Sequence, residues 1–204
     1  MICIMYDIVR VINTVFTSNT YVLWQEGSEE CWLVDVGDVD PVLEVIGERV
    51  TIRGIFLTHT HYDHLYGINR LVELFPNCVV YTSEAGREGL YSDKLNFSRY
   101  HDDPIVFKGD HVGVLHDGDR VELFPGEYLT VLETPGHDKS CLTYYTGNAV
   151  FSGDSFIPGV KVITTFPRGD KREAVRSVEA ILKVAEGRRV YPGHGDIASG
   201  NVVS

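Results

Sequence analysis

Apolar and polar positions alternate along residues 7–13, 20–25 and 31–36, the two-residue period of half-buried strands. Gly27-Ser28 supplies a turn between the second and third. Val42, Val45 and Ile46 then recur at helical spacing, which predicts a helix over 41–50 with Asp40 as its N-cap. Short apolar runs at 53–58 and 78–82 read as buried strands. Between them 64–75 reads as a helix stopped by Pro76, and 83–90 as a further short helix. Residues 91–110, with Tyr91, Asn96, Phe97, Tyr100, Asp102, Asp103 and Pro104, show no period. A loop of that length is expected to be a lid or binding loop. Strands resume from Val112, at 121–124, 128–134, 142–145 and 149–151. An amphipathic helix over 170–185 and a last strand at 190–191 follow. Two runs of strands, each mixed with helices, predict an α/β chain folded as a four-layer α/β/β/α sandwich.

The 204 residues contain no linker, repeat or low-complexity tract, so one domain over 1–204 is expected. No apolar run approaches the roughly 20 residues that span a bilayer, and the first residues lack a basic leader. A cytoplasmic protein without a membrane partner is the expectation. Eighteen Lys plus Arg against 29 Asp plus Glu give a formal charge of −11. That balance repels phosphate backbones and makes a small molecule, rather than a nucleic acid, the expected partner. Cys3, Cys31, Cys78 and Cys141 are scattered and form no Cys-x-x-Cys, so they read as reduced core thiols.

The chemistry concentrates in Thr58-His59-Thr60-His61-Tyr62-Asp63-His64. Residues two apart on an extended backbone point the same way, so His59 and His61 can share one ion. A turn after them lets Asp63 and His64 face a neighbouring position. A chance match to this pattern has odds of about one in a thousand. Three later fragments each place a ligand-type residue after a buried strand and beside glycine: Pro135-Gly136-His137, Ser152-Gly153-Asp154 and Pro192-Gly193-His194. Imidazoles and carboxylates together suit zinc, iron or manganese.

This set resembles the metallo-β-lactamase fold superfamily, most closely its glyoxalase II-like hydrolase branch. The resemblance implies a first metal position held by His59, His61 and His137 and a second held by Asp63, His64 and His194. It implies that Asp154 bridges two divalent ions, zinc first, with iron or manganese as alternatives. The implied activity is hydrolysis of a thioester, ester or lactone by a bridging hydroxide, with Asp63 also available as a proton acceptor. Asp154 stands where many true β-lactamases carry cysteine, and His61 where flavodiiron proteins carry glutamate. Only ten residues follow His194, whereas glyoxalase II continues into a helical domain that holds glutathione. Glutathione thioesters are therefore expected to be poor substrates. The rival implied by the same superfamily is a mononuclear iron oxygenase like the persulfide dioxygenases, using His59, His137 and Asp154. A non-catalytic metal-binding module is the third reading.

Outside the motif, Lys161 and Arg168 are candidates to meet a substrate carboxylate or phosphate, and Tyr66 to donate to a developing oxyanion. His101, His111 and His116 lack the flanking pattern and read as surface or loop residues. His101 lies in the expected lid.

Overall fold

The computed structural model describes residues 6–48 and 50–200. Strands β1 (Asp7–Ile12), β2 (Asn19–Trp24), β3 (Glu30–Val34), β4 (Thr51–Phe56), β5 (Val79–Thr82) and β6 (Val112–Val114) form one sheet in that spatial order. β1, β2 and β3 pair antiparallel, and β3 to β6 run parallel. The second sheet has the order β12-β11-β10-β9-β8-β7. Its strands are β7 (Arg120–Phe124), β8 (Glu127–Glu133), β9 (Leu142–Tyr145), β10 (Ala149–Gly153), β11 (Arg189–Pro192) and β12 (Ala198–Ser199). Among the described residues, only β10 and β11 pair parallel there.

Strand alternation divides the side chains between separate cores. In β3, Cys31 and Leu33 face helices α1 (Val39–Ile46) and α2 (Ile68–Leu74) on the outside of the first sheet, while Trp32 and Val34 face inward. In the second sheet Phe151 and Tyr191 face inward, while Val150 and Val190 meet Ile181 and Ala185 of helix α4 (Lys171–Ala185). The three cores are the three interfaces of the expected four-layer sandwich. Rings of Trp32, Phe56 and Tyr81 stack through the middle one, with centroids 5.4 and 5.0 Å apart. Cys31, Cys78 and Cys141 are free and buried, as expected; Cys3 lies outside the described residues.

Several boundaries differ from the sequence reading. α1 starts earlier, after Asp38, and Asp40 is not its N-cap but pairs with Arg70 from the first turn. It ends at Gly47, whose φ of +68° stops the helix. The helix expected over 64–75 is split into a 3₁₀ turn at Tyr62–His64 and α2, because the His64 carbonyl is taken by Val36 N–H. β3 ends at Val34 since Asp35 turns the chain with a φ of +57°. Helix α3 (Glu84–Leu90) matches the short helix expected after β5, and Ser83 caps it.

Candidate metal centre

The site lies on the seam between the two sheets. Asp35 and His59 follow the C-terminal ends of the parallel neighbours β3 and β4, and Asp154 and His194 follow those of β10 and β11. Tyr144 Oη donates to the Leu57 carbonyl (2.7 Å), and Leu142 N–H to that of Thr58 (2.7 Å), which locks one sheet's strand ends onto the other. Asn19 N–H reaches the Gly193 carbonyl (2.7 Å), and Gly193 N–H reaches that of Gly153 (2.9 Å). A Cβ at Gly193 would overlap the Asp154 carboxylate, so only glycine allows this approach.

All seven residues of the motif set converge. His61 Nδ1 and His137 Nε2 lie 3.0 Å apart, with His59 completing their group. His64 Nε2 lies 3.2 Å from His194 Nε2 and 3.3 Å from Asp63 Oδ2. Asp154 sits between the two groups, 3.6 Å from His137 Nε2, 3.5 Å from His64 Nε2 and 3.5 Å from His194 Nε2.

The outward nitrogens of four of the five histidines hydrogen-bond to oxygen. His137 Nδ1 donates to the Ile163 carbonyl (2.9 Å) and His194 Nδ1 to that of Phe16 (3.1 Å). His64 Nδ1 donates to Asp35 Oδ2 (2.9 Å). Thr58 Oγ1 gives its proton to Asp35 Oδ2 (2.7 Å) and accepts from His59 Nδ1 (3.1 Å). His61 Nε2 faces Asp138 Oδ2 at 3.6 Å. Such partners fix the tautomer and leave the inner nitrogen free to bind. His59 Nε2 and Asp154 Oδ1 are buried without a hydrogen-bond partner.

The electrostatics agree with a cationic occupant. Burial alone would raise Asp63, but His64 and His194 outweigh it and hold the carboxyl well below the usual range. Burial disfavours charge on His64, yet Asp63, Asp154 and Asp35 push it well up. His59 is driven down by burial and by the neighbouring imidazoles, so it stays in the neutral, ligating form. Imidazole nitrogens facing one another across about 3 Å, beside the unpartnered His59 Nε2 and Asp154 Oδ1 and concentrated carboxylates, fit the binding of divalent metal.

The remaining candidates are placed differently. Tyr66 is not brought to the centre: its hydroxyl donates to Asp38 Oδ1 (2.6 Å), and burial and Asp38 push its pKa up to about 12. Arg168 turns inward, giving a hydrogen bond to the Ala85 carbonyl (3.0 Å) and lying 3.6 Å from Asp138. Lys161 is exposed and lines a cavity of about 30 Å³ beside His137 and Asp154. His101 stacks on Tyr62 with centroids 3.9 Å apart. Asp35 and Asp138 were not singled out in the sequence. Asp35 follows the apolar run 31–34 directly, the same placement as the other centre residues, and Asp138 follows His137. Burial opposes charge on Asp138, but His61 and Ser140 hold it at about 2.

Residues 13–194 match the family model described as the metallo-beta-lactamase superfamily, and the chain belongs to that superfamily. Among curated relatives, it is 31% identical over 186 residues to a hydroxyacylglutathione hydrolase of Vibrio campbellii, covering 90% of this chain and 64% of that protein. It is 34% identical over 180 residues to the hydroxyacylglutathione hydrolase of Photobacterium profundum, covering 88% and 62%. The chain thus spans under two thirds of the length of these relatives, and the likeness supports the glyoxalase II-like branch. Among solved structures, the BLEG-1 B3 metallo-beta-lactamase superposes with a TM-score of 0.84 at 26% identity over 97% of this chain and 95% of that one. TTHA1623 in a di-iron-bound form gives 0.79 at 26% identity, covering 95% and 96%. ETHE1 from Myxococcus xanthus shares the fold with a TM-score of 0.74 at 22% identity, covering 96% and 80%. Among the described residues no helix is long and apolar enough to cross a membrane.

Proposed function

We propose that the chain is a metal-dependent hydrolase of thioester, ester or lactone bonds in small molecules, working with two divalent ions. The observation that carries this reading is the paired set of inward donors, each group backed by an outer oxygen partner and joined by Asp154. His59, His61 and His137 would hold one ion; Asp63, His64 and His194 would hold the other, with Asp154 common to both. A divalent metal there supplies acidity to a water, lowering its pKa to about 7, and charge to meet a developing oxyanion. Asp63 would accept the proton released by the attacking water, which passes on to the leaving group. The water oxygen becomes part of the carboxylate product, the carbon–sulfur or carbon–oxygen bond breaks, and a thiol or alcohol departs. Burial of His59, His61 and His137 keeps bulk water from one flank.

The test is metal analysis of protein purified without chelators, combined with a panel of thioesters, esters and lactones. Two ions per chain, with hydrolysis proportional to loading, is the expected result. One iron per chain with oxygen uptake on persulfides would replace this reading with the oxygenase; no bound ion would leave a non-enzymatic module.

A further inference from the structure

The flank of the centre beside His61 and His137 is aromatic. Phe97 lies 4.9 Å from the His61 ring and Phe166 lies 5.1 Å from it, both edge-on. Phe166 is also 5.5 Å from His137, and the two phenyl rings are 5.5 Å apart with a tilt of 35°. Phe166 is 37% exposed, and Ile163, whose carbonyl accepts from His137, is 52% exposed. Neither phenylalanine belongs to the three buried cores. An exposed Phe166 ring beside the half-buried Phe97 ring, grouped next to a polar centre, is what a ligand-binding wall requires.

Both rings are held by fixed loops. Phe97 has a φ of +62°, a left-handed conformation that a phenylalanine adopts only under constraint. The constraint is local: Asn96 Nδ2 donates to the Gly89 and Ile105 carbonyls, and Ser98 Oγ accepts from Ile105 N–H (2.7 Å). Ile105 and Phe107 anchor the same segment in the outer core. Residues 91–110 therefore present a preformed wall beside the centre. Phe166 is carried by a turn closed by Gly169 N–H on its carbonyl (2.9 Å), and Arg168 pins that turn to Ala85.

The opposite flank is more open, with His194 partly exposed 3.2 Å from Asp63. A leaving group departs more readily to the open side, while the acyl group stays against the fixed wall. We propose that Phe97 and Phe166 form the acyl-recognition wall of the site, selecting substrates whose acyl group ends in an aromatic or bulky apolar moiety. This rests on the hydrolase reading above.

The experiment measures two quantities on metal-loaded wild type, Phe166→Ala and Phe97→Leu. One is the affinity for phenylacetate against acetate, by NMR titration; the other is kcat/KM for phenylacetyl against acetyl thioesters. In wild type, phenylacetate is expected to bind about 30-fold more tightly, from the added apolar area, and the kinetic ratio to follow. Phe166→Ala should reduce both preferences about 10-fold, and Phe97→Leu about 3-fold. A wild-type ratio near one overturns the proposal. So does a preference that survives both substitutions while metal affinity falls, which would make the rings mere packing for His61. Retained carboxylate preference without hydrolysis of any thioester would overturn the hydrolase reading and leave the apolar wall established.

Discussion

The two halves of the centre are built from similar side chains in different surroundings. His59, His61 and His137 are buried and flanked by Phe97 and Phe166, and two of them lean on polar side chains, Thr58 and Asp138. In the other half Asp63 and His64 are buried as well, but His194 is partly exposed beside the exposed Phe16 and is held from behind by a backbone carbonyl. The first half is preorganised by its walls; the second is easier to reach and easier to rearrange. Two groups cross this divide. Asp154 lies between the halves, and Asp35 accepts from His64 directly and from His59 through Thr58.

Removing a shared group should break the comparison most strongly. Asp154→Ala is expected to weaken both ions by more than about 100-fold and to reduce turnover to background. Metal analysis after dialysis checks this, and loss of only one ion would contradict the shared role. Asp35→Ala should weaken both ions by about 10- to 100-fold and destabilise the fold by about 3 kcal/mol, since it strands a buried imidazole and the Thr58 donors. Urea unfolding followed by circular dichroism measures the second effect. His194→Ala should sharpen the contrast by emptying the open half alone, with one ion retained in native mass spectrometry. The smallest effect belongs to Asp138→Asn, about a 10-fold loss at the enclosed half with the open half unchanged, read by titration with a spectroscopically active ion such as cobalt.

The sequence made the centre legible because its ligands cluster in one short motif and in three glycine-flanked turns, each at the end of a strand whose alternation is plain. The supporting residues were harder to see. Asp35 prolongs an apolar strand in the sequence, and nothing local marks the left-handed turn that swings its carboxylate under His64. The break between Tyr62–His64 and α2 was invisible for a similar reason: the helical spacing continues, but the His64 carbonyl is claimed by Val36 from another segment. Thr58 reads as the last residue of a strand, yet its amide and hydroxyl are spent on Asp35. The two-residue β12 offers too few positions for a period to show. For Asp35, His64 and Thr58 a distant partner sets the outcome, and short-range pattern carries no record of it.

Because the donors come from both sheets, an ion at the seam acts as a clasp between the two halves of the fold. Ligand linkage then makes occupancy a reservoir of thermodynamic stability, about 4 kcal/mol when free metal stands a thousandfold above its dissociation constant. Scarcity of metal would lower activity and, at the same moment, raise the population of opened molecules exposed to proteolysis. The lifetime of the folded chain would thus follow the supply of its own cofactor.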